Sequence, residues 1–346
     1  MGDRLVAATT YAGVYGFAPL LAAFHRARRA KRGRGGEPAF YLDLEGNLLR
    51  LSGDLRERTY RPDPYRFFPL FHRKERIVSE ASFRDRVVHH SLAAASGPVS
   101  GAGFHHLSLP CRTGGGAPAA VRRAGSLSGA YRSYLRMAAR GYFNHVDHAV
   151  LLDLLSRRIH DPGILWLCRA LLDGARVPTV PADERRGIPI GNLTSQFWAN
   201  VYLDPLDQMV TRDLGQGTYS RYMDDILVLG DRKRALWEVC AEITRLLRDR
   251  LRLRAKEAAT VVAPVTEGIP WLGFRVFPCL TRVDRRGRRR FGRKIAASLG
   301  RSTMGPAGED AEVASAASLC GHLVQANTRS LRRSIFDRLD ARGPDR

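Results

Sequence analysis

Apolar residues recur at helical spacing in several well-separated stretches. In "DHAVLLDLLSRRI", Val150, Leu151, Leu154, Leu155 and Ile159 share one helical face, and Asp147 ahead of them can cap the helix N-terminus. The next stretch, "DPGILWLCRALLDGA", has Asp161 as cap and Pro162 in the first turn, and is expected to end near Gly174. "RALWEVCAEITRLLRDRLRL" predicts a long amphipathic helix. "APLLAAFHRARRAKR" and "RVVHHSLAAA" predict two more. Shorter apolar runs predict strands. "RPDPYRFFPLFHRKERIVSE" reads as extended segments and turns, punctuated by Pro62 and Pro64, and "YLRMAARGYF" as a strand entering a turn. "TYSRYMDDILVLGD" gives two short β-runs meeting at Asp224 and Asp225, and "TVVAPVTEGIPWLGFRVFP" gives strand, turn, strand. In "GIPIGNLTSQFWANVYLDPLDQMV" the glycines and Pro189 make a loop, with a helix from about Thr194 or Ser195. The Gly-, Ala- and Ser-rich segment from Gly97 to Gly129 predicts no clear element. "KRGRGGEP" is a basic, glycine-rich break, and no internal repeat or heptad run is present. This order predicts an α+β domain with helices on one face of an antiparallel sheet.

Composition narrows the class. The chain has 346 residues, 44% hydrophobic and 26% charged, enough for a large core and two or three subdomains. Its 56 Lys and Arg against 34 Asp and Glu give a formal net charge of +22. That surplus predicts a polyanionic partner, with nucleic acid the first candidate and an anionic membrane surface the second. A GC-rich genome explains Arg in place of Lys, but not the excess of basic over acidic residues. Cys111, Cys168, Cys240, Cys279 and Cys320 lie far apart with no C-x-x-C pair, so neither a zinc ribbon nor a disulfide framework is signalled. A reducing cytoplasm fits. Leu5 to Phe24 carries no charge, but Thr9, Thr10, Gly13, Gly16 and Pro19 interrupt it, so no membrane anchor is expected.

The adjacent carboxylates Asp224 and Asp225 raise the central question. Like charges side by side need a compensating cation or solvent. "RYMDDILVLG" follows "GIPIGNLTSQ" by a helix, "WLGF" comes after it by a helix and a strand, and "RDRVVHHSL" lies upstream. Together these blocks resemble a reverse transcriptase, of the bacterial type found in diversity-generating retroelements. The resemblance runs from "LEGNLLRLSGDLRERTYRPDPYR" to "GHLVQANTRSLRRSIF". It implies a right-hand polymerase fold: an N-terminal helical region over 1–60, fingers over 61–130, a palm over 131–280 that includes helices around 147–185, and a basic thumb over 281–346. It implies RNA-templated DNA synthesis, in which a primer 3′-OH attacks the α-phosphorus of a dNTP. Two Mg²⁺ ions would be held by Asp224 and Asp225, because hard cations choose oxygen ligands.

Further roles follow from the same resemblance. Lys74 and Arg76 would neutralise the dNTP triphosphate, although ordinary surface charge explains them equally. Phe143 would exclude a 2′-OH, and also suits a core aromatic. Gly191, Ser195 and Gln196 would lie at the nascent base pair, the Ser-Gln ending being the retroelement variant. Trp271, Leu272 and Gly273 would form the primer grip, which a plain hydrophobic hairpin also satisfies. Arg285, Arg286, Arg288, Arg289 and Arg290 would follow duplex backbone as salt-dependent contacts, or form a solvated charge run. The partners implied are an RNA template, a DNA primer and dNTPs, with room for a small basic accessory protein and no membrane.

Three departures weaken the chemistry. The metal-bridging Asp of the family's palm strand is Ala138 in "LRMAARGYFNHVDH". No Asp or Glu occurs between Arg86 and Val146, and the flanking Asp85 and Asp147 read as a fingers-helix residue and a helix cap. The basic residue of the family's "CRxGKG" is Gly115, and the Lys before the last palm strand is Ala259, leaving Lys256 as the nearby substitute for a general acid. Three readings stand: an active enzyme with an unusual metal site, a relative that binds RNA or duplex without polymerising, and a basic structural protein with a chance YMDD. Restoring Asp at position 138 is the change expected to return primer extension.

Overall fold

A computed structural model describes residues 10–29, 32, 33, 35–71, 75–103, 116–216, 218–299, 323, 324, 326–331 and 333. In chain order come helices α1 (Ala12–Tyr15), α2 (Phe17–Arg28), α3 (Glu37–Leu42) and α4 (Leu44–Arg56), then strands β1 (Arg66–Phe71) and β2 (Glu75–Glu80). Helices α5 (Phe83–Gly103) and α6 (Ala117–Ser128) precede strand β3 (Ser133–Ala138). Helices α7 (Tyr142–His145), α8 (His148–Ser156), α9 (Pro162–Asp173) and α10 (Leu193–Gln208) follow. Strands β4 (Ser220–Tyr222) and β5 (Asp225–Gly230) precede helix α11 (Lys233–Asp249). The last elements are strands β6 (Val261–Pro264), β7 (Ile269–Trp271), β8 (Phe274–Phe277) and β9 (Leu280–Val283), and helix α12 (Arg285–Leu299). The chain forms two compact units: Met1–Cys111, Ala138–Leu214 and Glu242–Lys256 make the first, and Arg112–Met137, Gly215–Ala241 and Glu257–Arg346 the second.

The first unit is mainly helical. Helices α1 and α2 pack on α4 and α5, burying Val14, Leu20, Phe24, Leu48, Leu51, Leu55, Val87 and Val88. Strands β1 and β2 form an antiparallel pair. The predicted caps form: Asp147 Oδ1 accepts from Val150 N at 3.0 Å, and Asp161 Oδ1 accepts from Gly163 N at 2.8 Å. Helix α10 packs on α5 and α8, and the buried Tyr202 hydroxyl donates to the Leu251 carbonyl at 2.7 Å while accepting from Asp147 N at 3.1 Å.

The second unit holds two sheets. The first has strand order β4-β5-β3-β6, with β4–β5 and β3–β6 antiparallel. The second is the antiparallel meander β7-β8-β9. Helix α6 packs on β4 and β8 and buries Ala120, Val121, Ala124 and Ser128. The Gly97–Gly129 segment, in which no element was expected, therefore contains the end of α5 and all of α6, with 104–115 outside the described residues. The helical face of α6 is built from small side chains that permit close approach, so it carries almost no hydrophobic signal. Strand β9 and the start of α12 occupy the basic stretch from Arg282. The helical reading of "LCGHLVQANTRSLRRSIFDRL" lies largely outside the described residues. The α+β class stands, with a palm-type sheet carrying the Asp hairpin. Among the described residues no helix is long and apolar enough to cross a membrane.

Candidate functional site

The hairpin "SRYMDDILVLG" lies in the second unit. Tyr222 pairs with Asp225, so Met223 and Asp224 form a two-residue turn. Met223 adopts φ 55°, the left-handed conformation that tight hairpin turns require and that a non-glycine residue adopts under strain. Arg221 is fully buried, and its Nη1 donates to the Met223 carbonyl at 3.0 Å. A buried guanidinium thus braces the turn from below. Asp224 and Asp225 are both half-buried, and Asp225 opens strand β5.

Strand β3 runs beside β5 in the same sheet. Its sequence, "SYLRMA", is buried except at Arg136, and apolar apart from Arg136 and Ser133. Arg136 Nη2 lies 3.3 Å from Asp225 Oδ1, with both side chains about one-third exposed or less. Strand alternation puts Ala138, two residues on, on the same face of β3 as Arg136. The cation facing Asp225 is therefore a guanidinium, and the side chain two positions along that face is a methyl group.

This donor set does not fit a pair of Mg²⁺ ions. Two hard cations need several oxygens between them, and here Asp225 is engaged by Arg136 while position 138 offers no side-chain oxygen. Among the described residues, no group of three or more His, Cys, Asp or Glu could hold a metal ion. The two carboxylates nearest in sequence are committed within the first unit. Asp85 accepts from the Tyr60 hydroxyl at 2.6 Å and from Asp63 N at 2.7 Å. Asp147 caps α8 through Oδ1, and its Oδ2 meets Arg252 Nη1 at 2.7 Å.

The remaining predicted residues divide between the units. Phe143, Gly191, Ser195, Gln196 and Lys256 belong to the first. Phe143 lies on α7, half-buried, with Tyr142 edge-on at 5.6 Å, and its carbonyl accepts from Ile188 N. Lys256 N donates to the Ala138 carbonyl at 2.8 Å, which places its backbone beside the end of β3. Lys74 lies outside the described residues, as does the side chain of Arg76 on β2.

Gly191 has φ 116°, and a Cβ built there would lie 2.9 Å from Val78 Cγ1 and 3.3 Å from the Ser79 carbonyl. The glycine is thus required by the close approach of β2, whose Ser79 N donates to the Ile190 carbonyl at 2.9 Å. Gly191→Ala is expected to lower the unfolding free energy by about 2 kcal/mol, read from the urea midpoint.

Ser195 is buried near the N-terminus of α10, with no partner for its hydroxyl among the described residues. One residue earlier, Thr194 Oγ1 meets the fully buried His89 Nδ1 at 2.8 Å. Burial, reinforced by the charges of His90 and Arg86, pushes the His89 imidazole down to about 3. The folded protein keeps this ring neutral while the unfolded chain takes up a proton near pH 6.5. His89 therefore contributes stability that is fully present above that pH and is lost as pH falls toward 3, by at most about 1.4 kcal/mol per pH unit. His89→Gln is expected to flatten the fall in melting temperature between neutral and acid pH.

In the second unit, Trp271 is buried and Leu272 and Gly273 form the two-residue turn joining β7 to β8. Both turn residues have positive φ, 49° and 90°, as a type I′ hairpin needs. The Gly273 carbonyl accepts from Asp284 N at 3.1 Å, and Asp284 Oδ1 accepts from Gly287 N, capping α12. The predicted arginine tract is thus the first turns of a helix. Arg285, Arg286, Arg288 and Arg289 are exposed while Phe291 is buried, and the Arg290 side chain is not among those described. Arg136 and Arg221 were not anticipated from the sequence. The available signal was a charged residue within each of two short palm strands.

A family profile described as reverse transcriptase (RNA-dependent DNA polymerase) matches residues 72–276, more than half of the chain. The chain belongs to the reverse transcriptase family. As a member of that family, it shares its fold with apo telomerase from Candida tropicalis truncated from its C-terminal domain, at TM-score 0.50 and 10% identity. That alignment covers 67% of this chain and 59% of the telomerase. Telomerase from Candida albicans in complex with a fragment of telomeric RNA aligns at TM-score 0.47 and 11% identity, over 65% of this chain and 46% of that one. The chain thus spans less than two thirds of either telomerase. No curated protein sequence matches it. Members of the reverse transcriptase family generally use divalent metal ions.

Proposed function

We propose that this protein binds nucleic acid through a retained reverse transcriptase fold and has lost most of the ability to polymerise. The observation that carries this reading is the Arg136–Asp225 pair on the strand face that ends at Ala138. A palm built for two-metal phosphoryl transfer needs carboxylates on both strands, and here one strand supplies a guanidinium and a methyl group.

The proposed ligands are an RNA template and a DNA strand paired to it. The net charge of +22 supports a polyanion, and the exposed arginines of α12 supply phosphate contacts with no sequence preference. The Leu272–Gly273 turn, half-exposed at the tip of a rigid hairpin, would support the strand end. Assignment to the diversity-generating-retroelement type rests on the Ser195–Gln196 ending, and the dNTP contacts of Lys74 and Arg76 rest on the resemblance alone. The deciding experiment is primer extension on a primed RNA template by the unmodified protein and its Asp224→Ala variant. Extension that disappears in Asp224→Ala defeats this reading and establishes an active polymerase.

A further inference from the structure

We propose that the basic end of α2, with Tyr41 beside it, is a contact surface for single-stranded RNA. This rests on the nucleic-acid reading above and adds a site in the N-terminal helical region, away from the sequence blocks that mark the family. The cations there exceed what the helix itself calls for. Arg26, Arg28, Arg29, Lys31, Arg32 and Arg34 follow one another, and no acidic residue occurs between Arg4 and Gly36. A helix C-terminus favours cations within its last turn, whereas this tract continues past the end of α2 at Arg28.

The fold gathers these residues around one buried carboxylate. Glu37 Oε1 lies 2.6 Å from Arg28 Nε, and Glu37 Oε2 accepts from Gly33 N at 2.7 Å. Both oxygens are thus engaged, and the turn carrying Arg32 is held against the end of α2. Arg26, Arg29 and Arg32 have no carboxylate partner among the described residues, and Arg29 and Arg32 are exposed. Helix α5 packs on α2 and adds Arg86 and His90 to this side. Burial, then the charges of Arg26 and Arg86, hold the His90 imidazole below its ordinary range, as expected in a positive field. Glu80, on β2, lies 3.6 Å from Arg86 and 3.9 Å from Arg66. The surplus of positive charge is therefore not neutralised within the fold, and a polyanion would neutralise it.

Tyr41, on α3, favours a single strand over a duplex. Its ring is 49% exposed, while the neighbouring Phe24 and Phe40 are buried. The Arg28 guanidinium lies over this ring, 4.2 Å from its centroid, and the Phe24 ring is nearly parallel to it at 6.1 Å. Because Arg28 is itself tied to Glu37, the tyrosine ring is held in place with about half its surface in solvent. Exposed aromatic rings set among cations suit single strands, whose unpaired bases stack on the ring while their phosphates meet the cations. A duplex keeps its bases stacked inside and would meet only the arginines.

The test measures binding of a labelled, unstructured single-stranded RNA of about 20 nucleotides to the full chain by fluorescence anisotropy over a salt series, beside an RNA–DNA hybrid duplex of the same length. Arg29→Gln/Arg32→Gln is expected to weaken single-strand binding roughly tenfold and to lower the slope of log K against log salt by about 1.4. Tyr41→Leu is expected to weaken it about fivefold or more with the slope unchanged, because stacking releases no counterions, and to leave duplex binding as it was. As a control, Arg234→Gln/Arg248→Gln removes the same charge from exposed arginines of α11 that pair with Glu238 and Asp249, and should bind within about twofold of the unmodified protein. Circular dichroism confirms that each variant folds. If the control loses as much affinity as Arg29→Gln/Arg32→Gln, or if Tyr41→Leu keeps full affinity for the single strand, this inference is overturned while the nucleic-acid reading survives. Binding of the duplex alone has the same consequence. If the unmodified protein binds neither, both fall.

Discussion

Given a primed RNA template, dNTPs and Mg²⁺, the purified protein is expected to extend the primer no faster than its own Asp224→Ala variant. If Ala138 stands where the resemblance expects a bridging carboxylate, its absence removes about 4 kcal/mol or more of transition-state stabilisation, which is roughly three orders of magnitude in rate. Engagement of Asp225 by Arg136 deepens the deficit, because the remaining carboxylate pair is already partly neutralised. From the sequence, Ala138→Asp was the expected rescue. The structure revises it: Ala138→Asp by itself should remain near baseline, and Arg136→Met/Ala138→Asp should rise clearly above it. The measurement is single-turnover extension on a labelled primer, with circular dichroism to confirm that each variant folds. Recovery by Ala138→Asp alone would show that Arg136 does not oppose the metal. Extension by the unmodified chain that depends on Asp224 would show that two carboxylates suffice.

Trp271→Ala is expected to destabilise the protein by about 3–5 kcal/mol, seen as a large downward shift of the urea midpoint. The resemblance placed Trp271 in a primer grip, where its ring could touch nucleic acid. In the structure the ring is 1% exposed, among the largest fully buried side chains of the chain. It pairs across the hairpin with the buried Phe274 and sits in a three-stranded sheet whose inner positions include Ile269 and Val276. Truncation would leave a cavity too well enclosed to collapse. Leu272→Ser, at the half-exposed tip, should by contrast leave the urea midpoint nearly unchanged. Equal stability of Trp271→Ala and the unmodified protein would return Trp271 to the role of a surface contact.

Much of the fold was legible because its elements announce themselves locally. Asp147 and Asp161 cap α8 and α9 where the apolar periodicity begins, since a carboxylate one residue ahead of a helix satisfies its exposed N–H groups. The Asp hairpin was legible from two short apolar runs meeting at a polar pair. Helix α6 was not, because Ala120, Ala124 and Gly125 owe their place to a close-packed strand and carry little hydrophobic signal of their own. Gly191 was read from the resemblance as a residue at the nascent base pair, and its positive φ and the reason for it came only from the structure. What crowds it, Val78 and Ser79, comes from a strand more than a hundred residues earlier.

The site divides in the same way. Ordered blocks determined the family, and the missing Asp at position 138 was visible by comparison with the pattern the blocks imply. The sequence by itself therefore determined the class of fold and the position of the two adjacent carboxylates. Which cation faces Asp225 was decided only by tertiary structure. Arg136 and Asp225 are 89 residues apart, and they meet because β3 and β5 are neighbours in one sheet and the two-residue alternation of β3 turns that side chain toward the hairpin. No local pattern records which strands become neighbours, so no local pattern could distinguish Arg136 from any other arginine of this strongly basic chain.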